Sequence, residues 1–317
     1  MRNQNHDTVL FTIITPVFNR EDCLGRCIES VLKQSFDSWE MIVVDDGSKD
    51  RSYDIAKQYS DSDARILALK HEVNKGTNAA RNLAIEKAKG KYIIILDSDD
   101  YFVDDALAII NSEIANHPEY RQYMFQADDL IEYYKSNKRL ALTDGVCRLS
   151  YSDWLSGEIG EDFIHVIDSS IMKKYPFNEK TRILEGVNFM RFFRESEYQL
   201  YIPKLITIRE RGRADSVTPT ALMTDIPAIE RCYLANTQWL EWFSRDATIR
   251  GCINVVRHKK KLCAILALSL GKYNEYDKYS DSLLKSQRII FSLLSTLKAG
   301  CMIRNAILLK TKISHRR

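Results

Sequence analysis

The chain has 317 residues, 45% of them hydrophobic and 28% charged, with a formal net charge of +3. These values exclude collagen-like, mucin-like and wholly disordered chains, and a chain of this length buries a sizeable core without disulfide staples. The seven cysteines (23, 27, 147, 232, 252, 263 and 301) are odd in number and scattered through apolar stretches. That is no disulfide framework, and it indicates a reducing compartment. The polar start MRNQNHDT lacks the apolar core of a signal peptide, and no stretch approaches the ~18 charge-free apolar residues of a membrane span. A cytoplasmic protein that does not cross the membrane is therefore expected.

Residues 10–15 (LFTIIT) are apolar and β-branched, which predicts a strand. Residues 21–34 follow with Cys23, Leu24, Cys27, Ile28, Val31 and Leu32 at helical spacing. Residues 40–44 form a second buried strand that runs into Asp45-Asp-Gly-Ser48, and 50–59 read as a helix. Residues 65–70 are a third strand, 77–88 a helix capped by Gly90, and 92–96 a fourth strand entering Asp97-Ser-Asp-Asp100. A helix is predicted over 104–116, short strands and turns over 121–142, helices over 151–155 and 184–194, and a strand over 200–208. Residues 210–216 are a polar loop, and Pro219 and Pro227 mark a boundary. Beyond it, 225–244, 247–271 and 281–313 read as helices.

Apolar runs of about five residues separated by helices of about a dozen predict an α/β fold with a mostly parallel central sheet flanked by helices. A C-terminal helical extension follows. Ligands of such sheets bind at the carboxyl ends of the strands. Those ends carry residues 15–19 (TPVFN), 45–48 (DDGS) and 97–100 (DSDD), so carboxylates gather on one edge.

Each segment also has a plainer reading. Two carboxylates two apart after a buried strand suit a hard cation that engages substrate phosphates, but they equally suit a solvated loop that caps the next helix. Asp45-Asp-Gly-Ser48 is either a ligand site or a turn. Residues 74–81 (NKGTNAAR) open a helix, either as an ordinary turn with Arg81 on a solvated face or as part of the site.

Together the segments are specific. In order and spacing, residues 15–19, 30–36 (SVLKQSF), 43–50 (VVDDGSKD), 74–82 and 90–100 (GKYIIILDSDD) resemble the nucleotide-binding half of family 2 inverting glycosyltransferases of GT-A fold. The resemblance covers residues 11–100 strongly and continues more weakly to about residue 217. It implies residues 1–120 as the nucleotide-sugar-binding half, 121–217 as the acceptor-binding half and 218–317 as a C-terminal helical region. It also implies that Pro16 and Phe18 contact the nucleoside, with Phe18 where the family often has Tyr. Asp46 accepts from the base N–H, Arg81 reaches the base or ribose edge and Asp97 approaches the ribose. Asp99 ligates a divalent cation, Mn²⁺ or Mg²⁺, bridging the diphosphate. The family's carboxylate base, commonly in a Glu-Asp pair opening a helix, maps onto Glu185, although the second position is Gly186. A similar pair containing Asp162 stands too early in the chain and is the weaker candidate. Arg211 and Arg213 lie in a basic loop, either a solvated turn or a cover that folds over the diphosphate.

The implied activity moves a sugar from a nucleotide-sugar, UDP-linked by preference, to a hydroxyl of a glycan acceptor in bacterial surface-polysaccharide assembly. A lipid-linked acceptor fits that role. The alternatives are a nucleotidyltransferase that makes a nucleotide-sugar, disfavoured because residues 15–20 hold no glycine, and a non-catalytic nucleotide-sugar-binding protein, which Gly186 favours. From Lys285 to Arg317 there are eight Lys or Arg and no Asp or Glu. This tail reads either as a surface that rests on anionic lipid at the inner face of the cell membrane, or as a packing element with a basic exposed face. No nucleic-acid-reading module is present.

Overall fold

The computed structural model describes residues 9–140, 145–160, 163–181, 184–210 and 225–314. In chain order the strands are β1 (Phe11–Val17), β2 (Trp39–Asp45), β3 (Ile66–Lys70), β4 (Tyr92–Ile95), β5 (Tyr101–Phe102), β6 (Gln122–Ala127), β7 (Cys147–Ser150), β8 (Ile164–Asp168) and β9 (Tyr198–Ile208). The helices between them are α1 (Leu24–Leu32), α2 (Ser52–Ser62), α3 (Thr77–Lys87), α4 (Ala106–Asn116), α5 (Ile131–Ser136), α6 (Tyr151–Ser156), α7 (Ser169–Lys174) and α8 (Gly186–Ser196). After β9 come α9 (Ile226–Ile249), α10 (Ile253–Ser269), α11 (Tyr273–Asp277), α12 (Lys285–Thr296) and α13 (Cys301–Ser314).

The strands form one sheet in the order β3-β2-β1-β4-β8-β6-β9-β5, with β7 added on β9. β1 to β4 are mutually parallel, β8 runs antiparallel between β4 and β6, and β9 returns parallel to β6. The sheet is thus mostly parallel, with β5, β7 and β8 reversed. Because β8 joins β4 to β6, strands from before and after residue 120 are woven into the same sheet.

β1 is buried throughout because it lies between β2 and β4 under packed helices. Phe11, Ile13 and Val17 share a cluster with Leu24, Cys27, Ile28 and Val31 of α1. Those α1 residues are the apolar stripe that the sequence spacing indicates. α3 packs on β1 and β2, and its small residues Ala80 and Ala84 allow a close approach.

A proline in a central strand normally breaks a ladder. Pro16 does not. Val17 O accepts from Asp46 N toward β2, and Ile14 O accepts from Leu96 N toward β4. By strand alternation Pro16 faces the β4 side, beyond the last register pair Ile14–Ile95, so its missing N–H removes no ladder bond.

Several expectations are corrected. Residues 130–134 (LIEYY) are not extended. A 3-10 turn at Asp128–Leu130 leads into α5, because the helix buries Tyr134 against the rings of Phe163 and Tyr201, and this packing overrides β propensity. β7, β8 and α7 have no counterpart in the sequence reading, since each is short and β8 carries His165 amid its apolar residues. Gly90 does not cap α3. The helix ends at Lys87 with Ala88 extended, and Gly90 lies against β1, where a Cβ would come within 2.5 Å of Thr12 N. The helix expected over 247–271 begins only at Ile253, after Gly251 (φ 81°) closes a longer α9. The single apolar run over 281–313 divides at Lys298 (φ 51°) and Gly300 into α12 and α13.

The chain divides into two compact units. The first contains the sheet, running to Trp154 and resuming at Glu158 through β9. The second contains Leu155–Gly157 and the C-terminal helices, with α10 at its centre packed against α9, α11 and α13. Val256, Cys263, Ala264, Leu266, Ala267 and Leu268 of α10 are buried there.

Candidate active site

At the carboxyl ends of β1 and β2, two loops are stitched together by side chains of residues 48–52. Ser48 Oγ accepts from Asn19 N at 2.9 Å, Ser52 Oγ from Arg20 N at 2.7 Å and Asp50 Oδ2 from Glu21 N at 3.0 Å. Asn19 Oδ1 returns the contact by accepting from Lys49 N. Asn19 sits at φ 53°, a left-handed conformation that Asn tolerates. Phe18, just before it, is 42% exposed, an aromatic ring held at the rim of the sheet edge. Pro16 is buried within β1 beneath that rim.

The two aspartates that end β2 do different work. Asp45 is fully buried, and its Oδ1 accepts from Ser48 N at 3.1 Å. Asp46 reaches the loop after β3. Its Oδ1 contacts His71 Nδ1 at 2.7 Å and accepts from Lys75 N at 2.9 Å, while its Oδ2 accepts from Gly76 N at 2.6 Å. A carboxylate oxygen accepts about two hydrogen bonds, so Oδ2 keeps one free acceptor position. Two glycines let the loops meet. Gly47 (φ 75°) approaches the Val73 and Asn74 backbone so closely that a Cβ would lie 2.8 Å from Asn74 N, and Gly76 at φ 97° turns the chain into α3.

α3 then presents three polar residues on one face. Asn78 Nδ2 donates to Asn178 O at 2.9 Å, and Asn82 both donates to Phe177 O and accepts from Phe177 N. These bonds fix the segment that leads to Glu185. Between the two asparagines, the 7%-exposed side chain of Arg81 carries its guanidinium to a pair of carboxylates. Nη2 donates to Asp97 Oδ1 at 3.2 Å, and Nη1 lies 3.5 Å from Glu185 Oε1. Burial alone lowers the pKa of Arg81, but Glu185 and Asp97 outweigh it and the net shift is upward. The side chains of Asp97 and Glu185 are 51% and 34% exposed, so both acids face solvent above a buried cation. Glu185 stands at the N-cap of α8 and its side chain makes no capping bond.

Asp99 lies across from this group, 3.7 Å from Arg20 Nε, with its carbonyl accepting from Arg26 Nη2 at 3.1 Å. Arg26 also pairs with Glu210 and lies over the Tyr101 ring. Burial, reinforced by the charges of Asp97 and Asp99, pushes the Asp100 carboxyl up to about 8, against the opposing pull of Arg209 and of the Glu210 N–H. Among the described residues, no three His, Cys, Asp or Glu side chains converge as a ready-made metal cage. A cation that is shared with substrate phosphates needs only one or two protein carboxylates. The carboxylates of Asp97 and Asp99 at the end of β4, 51% and 23% exposed, are oxygen donors of the kind such a cation takes, so the donor set fits one.

The structure therefore brings Arg81, Asp97 and Glu185 into direct contact and puts Pro16, Phe18, Asp46 and Asp99 on the same sheet edge. Asp162, Arg211 and Arg213 lie outside the described residues. His71 escaped the sequence reading, and Asn78, Asn82 and Arg20, although within or beside its motif segments, were given no role there. Asn78 and Asn82 were detectable as an i, i+4 pair beside Arg81. His71 carried no signal beyond its place after a strand.

Residues 12–140 match the model of glycosyl transferase family 2. A putative teichuronic acid biosynthesis glycosyltransferase, TuaG of Bacillus subtilis, is 46% identical over 98 residues, 31% of this chain and 39% of that protein. A UDP-Glc:alpha-D-GlcNAc-diphosphoundecaprenol beta-1,3-glucosyltransferase of Escherichia coli, WfgD, is 42% identical over 101 residues, 32% of this chain and 39% of that protein. The chain thus spans less than half the length of these relatives. Among solved structures, Staphylococcus aureus TarS 1–349 superposes with a TM-score of 0.61 at 14% identity, over 96% of this chain and 92% of that one. The likeness in shape shows the GT-A fold expected from the sequence. The likeness to glycosyl transferase family 2 spans residues 12–140, less than half of the chain.

Proposed function

We propose that the protein is an inverting glycosyltransferase that moves one sugar from a UDP-sugar to a hydroxyl of a glycan acceptor in the assembly of a bacterial surface polysaccharide. The observation that carries this reading is the buried Arg81 guanidinium holding Asp97 on one side and Glu185 on the other, which joins a donor-side acid to a candidate base. In the reaction, the acceptor hydroxyl attacks the anomeric carbon while the bond from that carbon to the diphosphate oxygen breaks. Glu185 takes the hydroxyl proton, and a single displacement inverts the centre. Asp46 receives the base N–H at its remaining acceptor position, and Phe18 and Pro16 line the nucleoside. Asp97 approaches the ribose. Asp99 would hold a divalent cation, Mn²⁺ or Mg²⁺, and the cation would supply positive charge to the departing diphosphate.

The names of the relatives support the acceptor class: one belongs to teichuronic acid biosynthesis, and another uses a diphosphoundecaprenol-linked acceptor. TarS has been crystallised with UDP-GlcNAc, and a Pyrobaculum calidifontis mannosyltransferase of the same fold with GDP-Man and Mn²⁺. A lipid-linked acceptor goes with a cytoplasmic protein peripheral to the inner face of the cell membrane. The test is transfer from UDP-Glc and UDP-GlcNAc to undecaprenyl-diphosphate-linked sugars by the wild type and Glu185→Gln. The expected result is transfer by the wild type and a loss of about 10³-fold or more in the variant, with UDP affinity kept. Equal transfer by the variant removes Glu185 as base. Donor binding without transfer or donor hydrolysis in the wild type favours the non-catalytic reading.

A further inference from the structure

Unlike α9 and α10, α12 has no buried residue. Its inward side is made by Gln287, Phe291 and Leu294, all partly buried, and Ser292 reaches Tyr276 Oη at 3.3 Å. The opposite side presents Ile289, Ile290, Leu293 and, at the C-cap, Leu297, at 72%, 56%, 59% and 65% exposure. At 100° per residue these four fall within one sector of the helix. Lys285 borders that sector on one side, Arg288 lies further round toward the packed side, and Lys298 follows the helix end. Arg288 pairs with Asp281 at 2.8 Å, and no acidic residue occurs from Lys285 to the end of the chain.

We infer that this outward face of α12 is a docking surface for an anionic phospholipid bilayer. Large exposed apolar patches on folded proteins mark interaction sites, and a helix with an apolar face bordered by Lys and Arg matches the boundary between acyl chains and anionic headgroups. At twelve residues α12 is about 18 Å long, enough to lie in the interface and too short to span it. No described helix is long and apolar enough to cross a membrane. Self-association is the competing occupant, and the charges oppose it. A two-fold contact would set Lys285 and Lys298 of one copy against the same residues of its partner, with no carboxylate in the segment to neutralise them. An anionic lipid surface supplies the missing charge.

The surface refines the membrane location proposed above and is independent of the transferase chemistry. The test is co-sedimentation of the full chain with phosphatidylcholine vesicles, with and without phosphatidylglycerol, for the wild type and the double variant Ile289→Ser, Leu293→Ser. Both changes are at exposed positions, and an unchanged melting midpoint verifies that the variant folds. The wild type is expected to sediment with phosphatidylglycerol vesicles, to release at high salt and to bind pure phosphatidylcholine weakly. The variant is expected to lose about tenfold or more of that partition. Equal partition of wild type and variant, or no sedimentation with phosphatidylglycerol, overturns the inference. So does a wild-type dimer in lipid-free sedimentation velocity that the variant abolishes. UDP binding measured on the same preparations separates the two claims, since a protein that binds UDP but not vesicles loses only the docking surface.

Discussion

Arg81 shows how one residue organises a site. A guanidinium is a costly group to bury, and two carboxylates on its solvent side offset that cost here. Neither carboxylate is near Arg81 in sequence, Glu185 least of all. The sequence exposed Asp97, Asp99 and Arg81 through their motifs, yet it left Arg81 open as a solvated side chain, because a burial set by α3 packing on β1 and β2 is not written locally. His71 was invisible for the same reason. Its partner Asp46 is 25 positions away, and a lone histidine after a strand predicts nothing. Asp100 gives a prediction at this scale. Burial and the charges of Asp97 and Asp99 push its native carboxyl up to about 8, whereas an unfolded Asp lies at ~3.9. Between those values the native state binds the proton more tightly, so stability of the metal-free protein falls as pH rises from about 4 to about 8. Urea unfolding of Asp100→Asn over pH 5 to 8 is expected to show a flatter slope than the wild type. An equal slope would mean that Asp100 ionises normally.

Elements were readable where they are long and periodic. The α1 stripe, β1, β2 and α3 all emerge from apolar spacing because each is decided by one buried face. Segment 130–134 misled because its tyrosines favour strands in isolation, while the fold spends Tyr134 in an aromatic cluster. The division of α12 from α13 was hidden because apolar residues continue across it and the break depends on Gly300 meeting α10. There a Cβ would fall 1.8 Å from Leu268 O. Gly90 is the sharper test of this kind of constraint, since the backbone of β1 cannot easily retreat from a central position in the sheet. Gly90→Ala is expected to lower unfolding free energy by about 1–3 kcal/mol. Gly145→Ala, with nothing within 4 Å of the added methyl, is expected to stay within about 0.5 kcal/mol. Thermal melts of the two variants read the difference directly.

For the whole molecule, the strongest sequence likeness and the donor-side carboxylates coincide, within residues 12–140. The candidate base lies outside that region, at the start of α8, and α3 reaches it through Asn78, Arg81 and Asn82. This arrangement explains why the donor side was readable as motifs while the base was only a mapped position beside Gly186. The C-terminal helices, built from apolar spacing without motif, were readable as helices but not in their boundaries.

Nucleotide binding at this edge underlies the proposed transferase, so the most direct measurement is the melting midpoint of the full chain with UDP, GDP, CDP and TDP, each with and without Mn²⁺. UDP with Mn²⁺ at about a hundred times its Kd is expected to add about 2.7 kcal/mol and raise the midpoint by several degrees, while UDP without the cation does far less. A midpoint unmoved by any of the four nucleotides, with or without Mn²⁺, would contradict the donor site and the transferase with it.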